Sequence, residues 1–390
     1  MICMSDAYKN AGVNLELGDE LSKMLYNASR ETWDNRAGRF GEPTADVDSF
    51  SGLRSLSLMP LLEAPEPEGL VQIMGDDGIG TKVEVAQRVG EHATMAFDLL
   101  AMICDDAAVR GFEPVAVTTT LDVQRLQEHM RPDMISLAIG YVAAAKAAGV
   151  ALVNGEVAEL GALVGGYGDD IPGDQRFRYN WNATYLAAGH RSRLLDGSKV
   201  AVGDTLVAFR EEGFRSNGIS LVRKTLEAAY GSEWHKEPYC TTHTIGQKVL
   251  KPSTIYTPIL VEAIGGYDLR NDPQVPISGA AHITGGGVPG KLGRMLAPSG
   301  FGADMDGLYA PSSIMEHVQE LSGVGDEEIY KVWNMGQGMI VATSEPEGLR
   351  QLASKHGVEA KVVGRVEAHP SIILKSKGHF DYGQEFCYDI

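Results

Sequence analysis

The sequence predicts a two-domain protein of α/β (α+β) class. Apolar residues recur at helical spacing and at strand alternation by turns through both halves. A polar, turn-rich stretch near residues 190–204, "HRSRLLDGSKVAVGD", interrupts that pattern, and a fresh strand, "TLVAF", follows it. A length of 390 residues suits two or three domains. The predicted division is 1–192 and 193–390.

Each element has a local reason. In "LGDELSKMLYNASR", residues 17–30, Leu21, Met24, Leu25 and Ala28 fall on one helical face. "DNRAGRFGEPTADVDSFSG" reads as loop, rich in Gly, Asp and Ser. "GLVQIMG" reads as a short strand entering a glycine-rich loop. "ATMAFDLLAMICDDAAVRGFEP" is a long buried helix ended by Gly111 and Pro114. "PVAVTTTLDV" is β-branched and strand-like. "MISLAIGYVAAAKAAGV" is a second apolar helix, and "ALVNGE" and "NATYLAAGHRS" are strands. Near the end, Leu349, Leu352 and Ala353 form a helical stripe closed by Gly357, before the strand "AKVVGRV".

Composition narrows the function. The chain is 44% hydrophobic and 22% charged, with net charge −18. Such a balance argues against nucleic acid or an anionic membrane as partner, since both are polyanions. No apolar run reaches the ~18 residues of a membrane span. Cys3, Cys104, Cys240 and Cys387 lack C-x-x-C spacing, which disfavours a zinc site or a disulfide framework. With no signal-like segment in "MICMSDAYKNAG", a cytoplasmic location is expected.

"MGDDGIGTKVEVAQ", Met74 to Gln87, is nearly a phosphate-binding P-loop, but it ends in Thr81-Lys82. Asp76 and Asp77 stand where a P-loop presents backbone donors. An acidic loop repels bare phosphate and accepts it when Mg²⁺ lies between. Gly75, Gly78 and Gly80 permit close backbone approach, and Lys82 offers a direct positive contact. A purely structural strand-to-helix turn is the competing reading. Asp98, Asp105 and Asp106 then lie in an apolar helix, where ionised carboxylates need partners. Asp98 reads equally as a helix cap, whereas the mid-helix pair Asp105-Asp106 points to a ligand. Asp77 and Glu156 complete a set of oxygen donors for a hard cation.

Taken together, these segments resemble the aminoimidazole ribonucleotide synthetase (phosphoribosylformylglycinamidine cyclo-ligase) family. "YKNAGVNLELGDEL" resembles its opening segment, "DDGIGTKVEVA" its D-G-V-G-T-K loop, and "NGEVAEL" its G-E-T-A-E-M block. The "DDAAVRGFEP" helix end, "FRSNGISLVRKTLE", "PSTIYTPIL", "AAHITGGGVPGKLGRML" and "WNMGQGMIVA" resemble further blocks, in family order, from about residue 7 to 366.

The resemblance implies a synthetase-like fold. Its N-terminal sheets pair across a homodimer with ATP in the cleft, and a C-terminal α/β layered domain follows. It also implies ATP-driven closure of formylglycinamidine ribonucleotide to aminoimidazole ribonucleotide. Carried over by position, Asp77, Asp106 and Glu156 are metal or phosphate ligands. Gly78, Gly80, Thr81, Lys82, Ser216, Asn217, Gly285, Gly286 and Gly287 are nucleotide, phosphate or substrate contacts, and Lys82 and Asp106 are candidate catalytic groups. Ser216 reads equally as a helix N-cap. Lys291 and Arg294 either add charge to the glycine loop or lie on a solvated helix face, and His282 is read as structural before substrate-binding.

Five positions depart from the family pattern. Thr119 stands for an aspartate, Arg215 for the histidine before S-N-G, Ser49 and Ser51 for glycines, and Lys291 for an asparagine. Neither threonine nor arginine can serve as a base near pH 7. Another ATP-using activity of the superfamily, or a non-catalytic nucleotide-binding role, therefore stays open at this stage.

Overall fold

The computed structural model describes residues 14–46, 54–167 and 176–390. Ser49 and Ser51 lie outside them. The chain divides into two compact units. The first comprises Met1–Glu63, Ile73–Cys104 and Pro114–Ala187, and the second Ala64–Gln72, Asp105–Glu113 and Ala188–Ile390. Strands in chain order are β1 (Pro43–Asp46), β2 (Arg54–Leu56), β3 (Leu70–Gly78), β4 (Glu113–Val123), β5 (Ala151–Glu159) and β6 (Tyr179–His190). They continue as β7 (Thr205–Arg210), β8 (Ile277–His282), β9 (Gly302–Met305), β10 (Gln337–Thr343), β11 (Ala360–Glu367), β12 (Ser371–Lys375) and β13 (Glu385–Asp389). Helices of eight residues or more begin with α1 (Leu15–Arg30), α2 (Lys82–Val89), α3 (Met95–Ala108), α4 (Arg131–Ala148) and α5 (Ile219–Tyr230). They end with α6 (Thr257–Ile264), α7 (Gly287–Leu296), α8 (Ser313–Ser322) and α9 (Pro346–Lys355).

The first unit is built on a sheet of order β3-β6-β4-β5, with β4 and β5 parallel. Alternation sorts its faces. Tyr179, Trp181, Ala183 and Tyr185 of β6 point into the core, as do Val117, Thr119 and Leu121 of β4. The other face carries Asn180 and Asn182 of β6, Thr118 and Thr120 of β4, and Asn154 and Glu156 of β5, half-buried or exposed. The expected loop after α1 contains a short antiparallel pair, β1 and β2.

His92 lies in that core, edge-on to Phe177, with Nδ1 3.0 Å from the Tyr179 hydroxyl and Nε2 3.9 Å from Asp133. Burial pushes its pKa from 6.5 down to about 4. The unfolded chain thus binds a proton near pH 6.5 that the folded one refuses until about pH 4. Stability is expected to fall by roughly 3 kcal/mol as pH drops through that window. Burial raises the Asp133 carboxyl, which acts in the opposite sense. Denaturation midpoints of His92→Phe against the parent at pH 7.5 and 4.5 isolate the imidazole. The variant should lose less stability on acidification.

The second unit holds a mixed seven-stranded sheet of order β13-β12-β9-β11-β7-β10-β8. All pairs given a register are antiparallel except β12 with β9. Val207, Phe209, Ala280, Met339 and Val341 meet Ile259, Leu260 and Ala263 of α6 and Leu349, Leu352 and Ala353 of α9 in one buried cluster. Next to Ala280, Gly279 faces Met295 of α7, so helices cover both faces. This layering sets His282 at the end of β8, paired in register with Met339. The glycine loop and α7 follow directly.

Candidate active site

In the first unit, β3 runs further than the sequence suggests, through Gly78. Gly75 and Gly78 lie within the strand, where a side chain would strike Tyr185 and Asn182 of β6. At Gly75 the Tyr185 ring explains the glycine by sheet packing, whereas at Gly78 only the tip of the Asn182 side chain stands in the way. Gly80, at φ 70, makes the turn, and exposed Thr81 is the N-cap residue of α2. Lys82, expected on phosphates, turns inward instead. It is fully buried, with Nζ 2.7 Å from Asp98 Oδ1. Asp98 is therefore this lysine's counter-ion and not a helix cap. The placement follows from the helix: Lys82 opens α2, whose residues 82–88 are all buried. Lys82→Met is expected to lower folding stability by about 3–5 kcal/mol, since it removes the cation beside a buried carboxylate. Urea unfolding measures this, and a weakening of nucleotide binding alone, with stability unchanged, contradicts it.

Asp77 is exposed at the end of β3, and its Oδ1 accepts its own neighbour's Gly78 N–H at 2.7 Å. Glu156 is exposed on β5. Two strands separate them, roughly 14 Å at ordinary strand spacing, so within one chain they cannot share an ion. Among the described residues no three His, Cys, Asp or Glu side chains gather as a metal set. Thr119 is buried, with Oγ1 3.0 Å from the Tyr141 hydroxyl. The position where the family pattern has a carboxylate here closes a neutral core contact.

The second unit assembles a polar cluster from four distant segments. Asp105 and Asp106 end α3, and neighbours in a helix point about 100° apart. Asp105 is fully buried. Its Oδ1 accepts the backbone N–H groups of Tyr256 at 2.9 Å and Thr257 at 2.8 Å, and the Thr257 hydroxyl at 2.9 Å. It thus holds the N-terminal end of α6 from a remote part of the chain, where a negative charge suits the helix dipole. Its Oδ2 accepts from Arg215 Nη2 at 3.1 Å. The expected ligand role of Asp105 is corrected to an internal anchor.

Arg215 is 1% exposed and sits at φ 59, a left-handed backbone that a residue with a Cβ seldom adopts. Nη1 donates to Glu211 Oε2 and to the Thr254 carbonyl, both at 2.9 Å. Glu211 also accepts the N–H groups of Glu212, Gly213 and Thr254. Burial works against the guanidinium's charge, but Glu211 and Asp105 outweigh it and raise its pKa.

Nη2 of Arg215 lies 2.7 Å from His282 Nε2, and His282 Nδ1 lies 2.6 Å from Asp106 Oδ1. Asp106 remains 44% exposed. Burial pushes its carboxyl up, but the hydrogen bond from His282 and the charges of Lys291 and Arg215 win, and its pKa is lowered. Asp106 is thus an ionised carboxylate ringed by basic groups. That setting repels a divalent cation, so the expectation of Asp106 as a metal ligand is not supported by its surroundings.

Two backbone loops flank these groups. Ser216 and Asn217 follow Arg215, but the N-cap of α5 is Gly218, so Ser216 does not cap the helix. The Ser216 hydroxyl oxygen is buried and has no hydrogen-bond partner among the described residues. Gly285 lies against Asn217: a Cβ built on it would stand 3.3 Å from Asn217 Oδ1. Gly286 is the N-cap of α7, and Gly287, at φ 59, has no room for a Cβ beside the Tyr330 carbonyl. Gly285 and Gly286 are exposed. At the start of this helix the Gly287 and Val288 N–H groups are taken by the Thr284 and Tyr330 carbonyls and Pro289 has none, so an anion here meets the exposed Gly285–Gly286 backbone, with Lys291 one turn along. Arg294 is exposed on the same helix.

Of the sequence-predicted contacts, Asp106, Ser216, Asn217 and Gly285–287 belong to this second unit, with His282 at the centre. Glu211, Thr254, Tyr256 and Thr257 were not foreseen. Thr254, Tyr256 and Thr257 lie within the quoted block "PSTIYTPIL", whereas nothing in the sequence marked Glu211.

Comparison with known proteins follows the same outline. The AIR synthase related protein N-terminal domain matches residues 62–171, and the AIR synthase related protein C-terminal domain matches residues 201–377. A phosphoribosylformylglycinamidine cyclo-ligase of Sorangium cellulosum (strain So ce56) is 32% identical over 369 residues, 93% of this chain and 96% of the relative. One from Shouchella clausii (strain KSM-K16) is 32% identical over 379 residues, 96% of this chain and all of the relative. Among solved structures, thiamine-monophosphate kinase from Stenotrophomonas maltophilia K279a superposes with TM-score 0.56 at 15% identity, covering 92% of this chain and 97% of that one. E. coli HypE, a hydrogenase maturation protein, gives TM-score 0.55 at 15% identity, covering 87% and 92%. At such identities the two structures speak for the fold alone. Full-length identity above 30%, with both domain matches in order, places the chain in the AIR synthase related family.

Proposed function

We propose that the chain is an ATP-dependent cyclo-ligase that closes formylglycinamidine ribonucleotide to aminoimidazole ribonucleotide, releasing ADP and phosphate. The observation that carries this reading is end-to-end similarity to cyclo-ligases that cover more than nine-tenths of both chains. The chemistry is coherent. An amide oxygen is a poor leaving group, and phosphoryl transfer from ATP makes it a good one. The amidine nitrogen then attacks that carbon, the imidazole ring closes and phosphate departs.

The second unit supplies groups suited to this substrate. Ionised Asp106 accepts an N–H of the amidine, with its orientation held by His282. The Ser216 hydroxyl and the exposed Gly285–Gly286 backbone, beside Lys291, suit the phosphate-bearing end. For the Mg²⁺ that offsets charge on the transferring phosphoryl group, exposed Asp77 fits. Mg²⁺ keeps several waters and takes only one or two carboxylates beside substrate oxygens. Thr81, at the start of α2, is the neighbouring phosphate contact.

Residues 1–192 would serve ATP binding and dimerisation, and 193–390 would form the C-terminal α/β domain. The open face of the β3-β6-β4-β5 sheet, with Met74 72% exposed, supports pairing with a second copy. No helix among the described residues is long and apolar enough to cross a membrane, in keeping with a cytoplasmic enzyme. Protein with ATP, Mg²⁺ and formylglycinamidine ribonucleotide should yield an aminoimidazole detected by diazo coupling, with one phosphate released per ring. Phosphate release without the ring would point to a sister activity. Nucleotide binding with no turnover at high enzyme concentration would remove the proposal.

A further inference from the structure

A guanidinium has five N–H donors and no acceptor. Arg215 Nη2 faces His282 Nε2 at 2.7 Å, so that ring nitrogen must be the acceptor. A proton on Nε2 would set two donors face to face. The ring proton therefore sits on Nδ1, 2.6 Å from Asp106 Oδ1. We infer that Arg215 is a positioning residue for Asp106: by donating to Nε2 it locks His282 in the Nδ1–H tautomer that Asp106 also requires, which pins one oxygen of Asp106 and leaves the other for an N–H-bearing ligand group.

Two further observations support this role. Arg215 cannot turn away, since Glu211 and the Thr254 carbonyl hold Nη1, Asp105 also accepts from Nη2, and the backbone around it is left-handed. Asp106 Oδ1 is engaged by His282, while Oδ2 makes no hydrogen bond among the described residues and the side chain is 44% exposed. The family pattern's histidine before S-N-G can either donate or accept. Arginine at 215 can only donate, so in this chain it and the acceptor Asp106 set the direction of the hydrogen bonds from both ends of the ring.

The consequence for turnover rests on the cyclo-ligase reading, whereas the tautomer does not. The test uses full-length protein with ¹⁵N-labelled histidine, the His282 signals being assigned with His282→Gln. In the parent, Nδ1 should resonate as protonated and Nε2 as unprotonated. Arg215→Lys, which keeps a donor, should retain this pattern and most of kcat. Arg215→Met should take the donor away from Nε2 and shift its resonance toward that of a ring nitrogen with no hydrogen bond, while Nδ1 stays protonated against Asp106, and should lower kcat about 10- to 100-fold with KM for ATP little changed. A protonated Nε2 in the parent would overturn the inference. So would a folded Arg215→Met that keeps the parent's Nε2 resonance and full kcat. If Arg215→Met does not fold, the parent spectrum alone decides. Absence of ring closure in the parent removes the functional reading and leaves the tautomer result standing.

Discussion

Asp106→Asn should reduce aminoimidazole formation by about 10²- to 10³-fold while the protein stays folded. The substitution is isosteric and the side chain is 44% exposed, so little packing is lost. What disappears is the negative charge beside Lys291, Arg215 and His282. The His282 Nδ1–H still meets an oxygen, but the amidine loses its charged acceptor. Steady-state kinetics with denaturation controls measure this. A variant with near-parent kcat/KM, or one lost to unfolding, contradicts the assignment of Asp106 to the reaction.

Asp105→Ala, one residue away, should behave in the opposite manner. It strips three hydrogen bonds from the start of α6 and leaves Arg215 without one of its two carboxylate partners in a site closed to water. Breaking a buried pair by removing one member costs about 3–5 kcal/mol. That is a large share of a typical stability of roughly 5–15 kcal/mol. Urea unfolding should show it as a lower midpoint, or the variant should appear only in the insoluble fraction. A stable Asp105→Ala with depressed turnover alone would mean that this carboxylate serves a ligand after all.

These contrasting neighbours show what the sequence could and could not reveal. The helix holding Asp98, Asp105 and Asp106 was legible from its apolar run, as was the need for each carboxylate to find a partner. The partners were not. Asp105 reaches Tyr256 across 151 residues and Asp106 reaches His282 across 176, separations that local pattern does not encode. Lys82 was misread for a related reason. A lysine at the opening of a glycine-rich turn looks like a phosphate contact, and only the packing of α2 buries it against Asp98. Family order was legible because whole blocks recur in sequence. Arg215 and Thr119 stood out as departures, but their meaning came from tertiary contacts: a donor-only clamp on His282 in one case, a hydroxyl pair with Tyr141 in the other.

Hydrogen–deuterium exchange with and without formylglycinamidine ribonucleotide tests most directly whether the carboxylate–imidazole–guanidinium cluster is where the ligand sits. Binding should slow exchange at the amides of 216–218 and 285–288 and leave distant strands such as β12 and β13 unchanged. Protection confined to other segments, with no change at these two loops under saturating ligand, would place the substrate elsewhere.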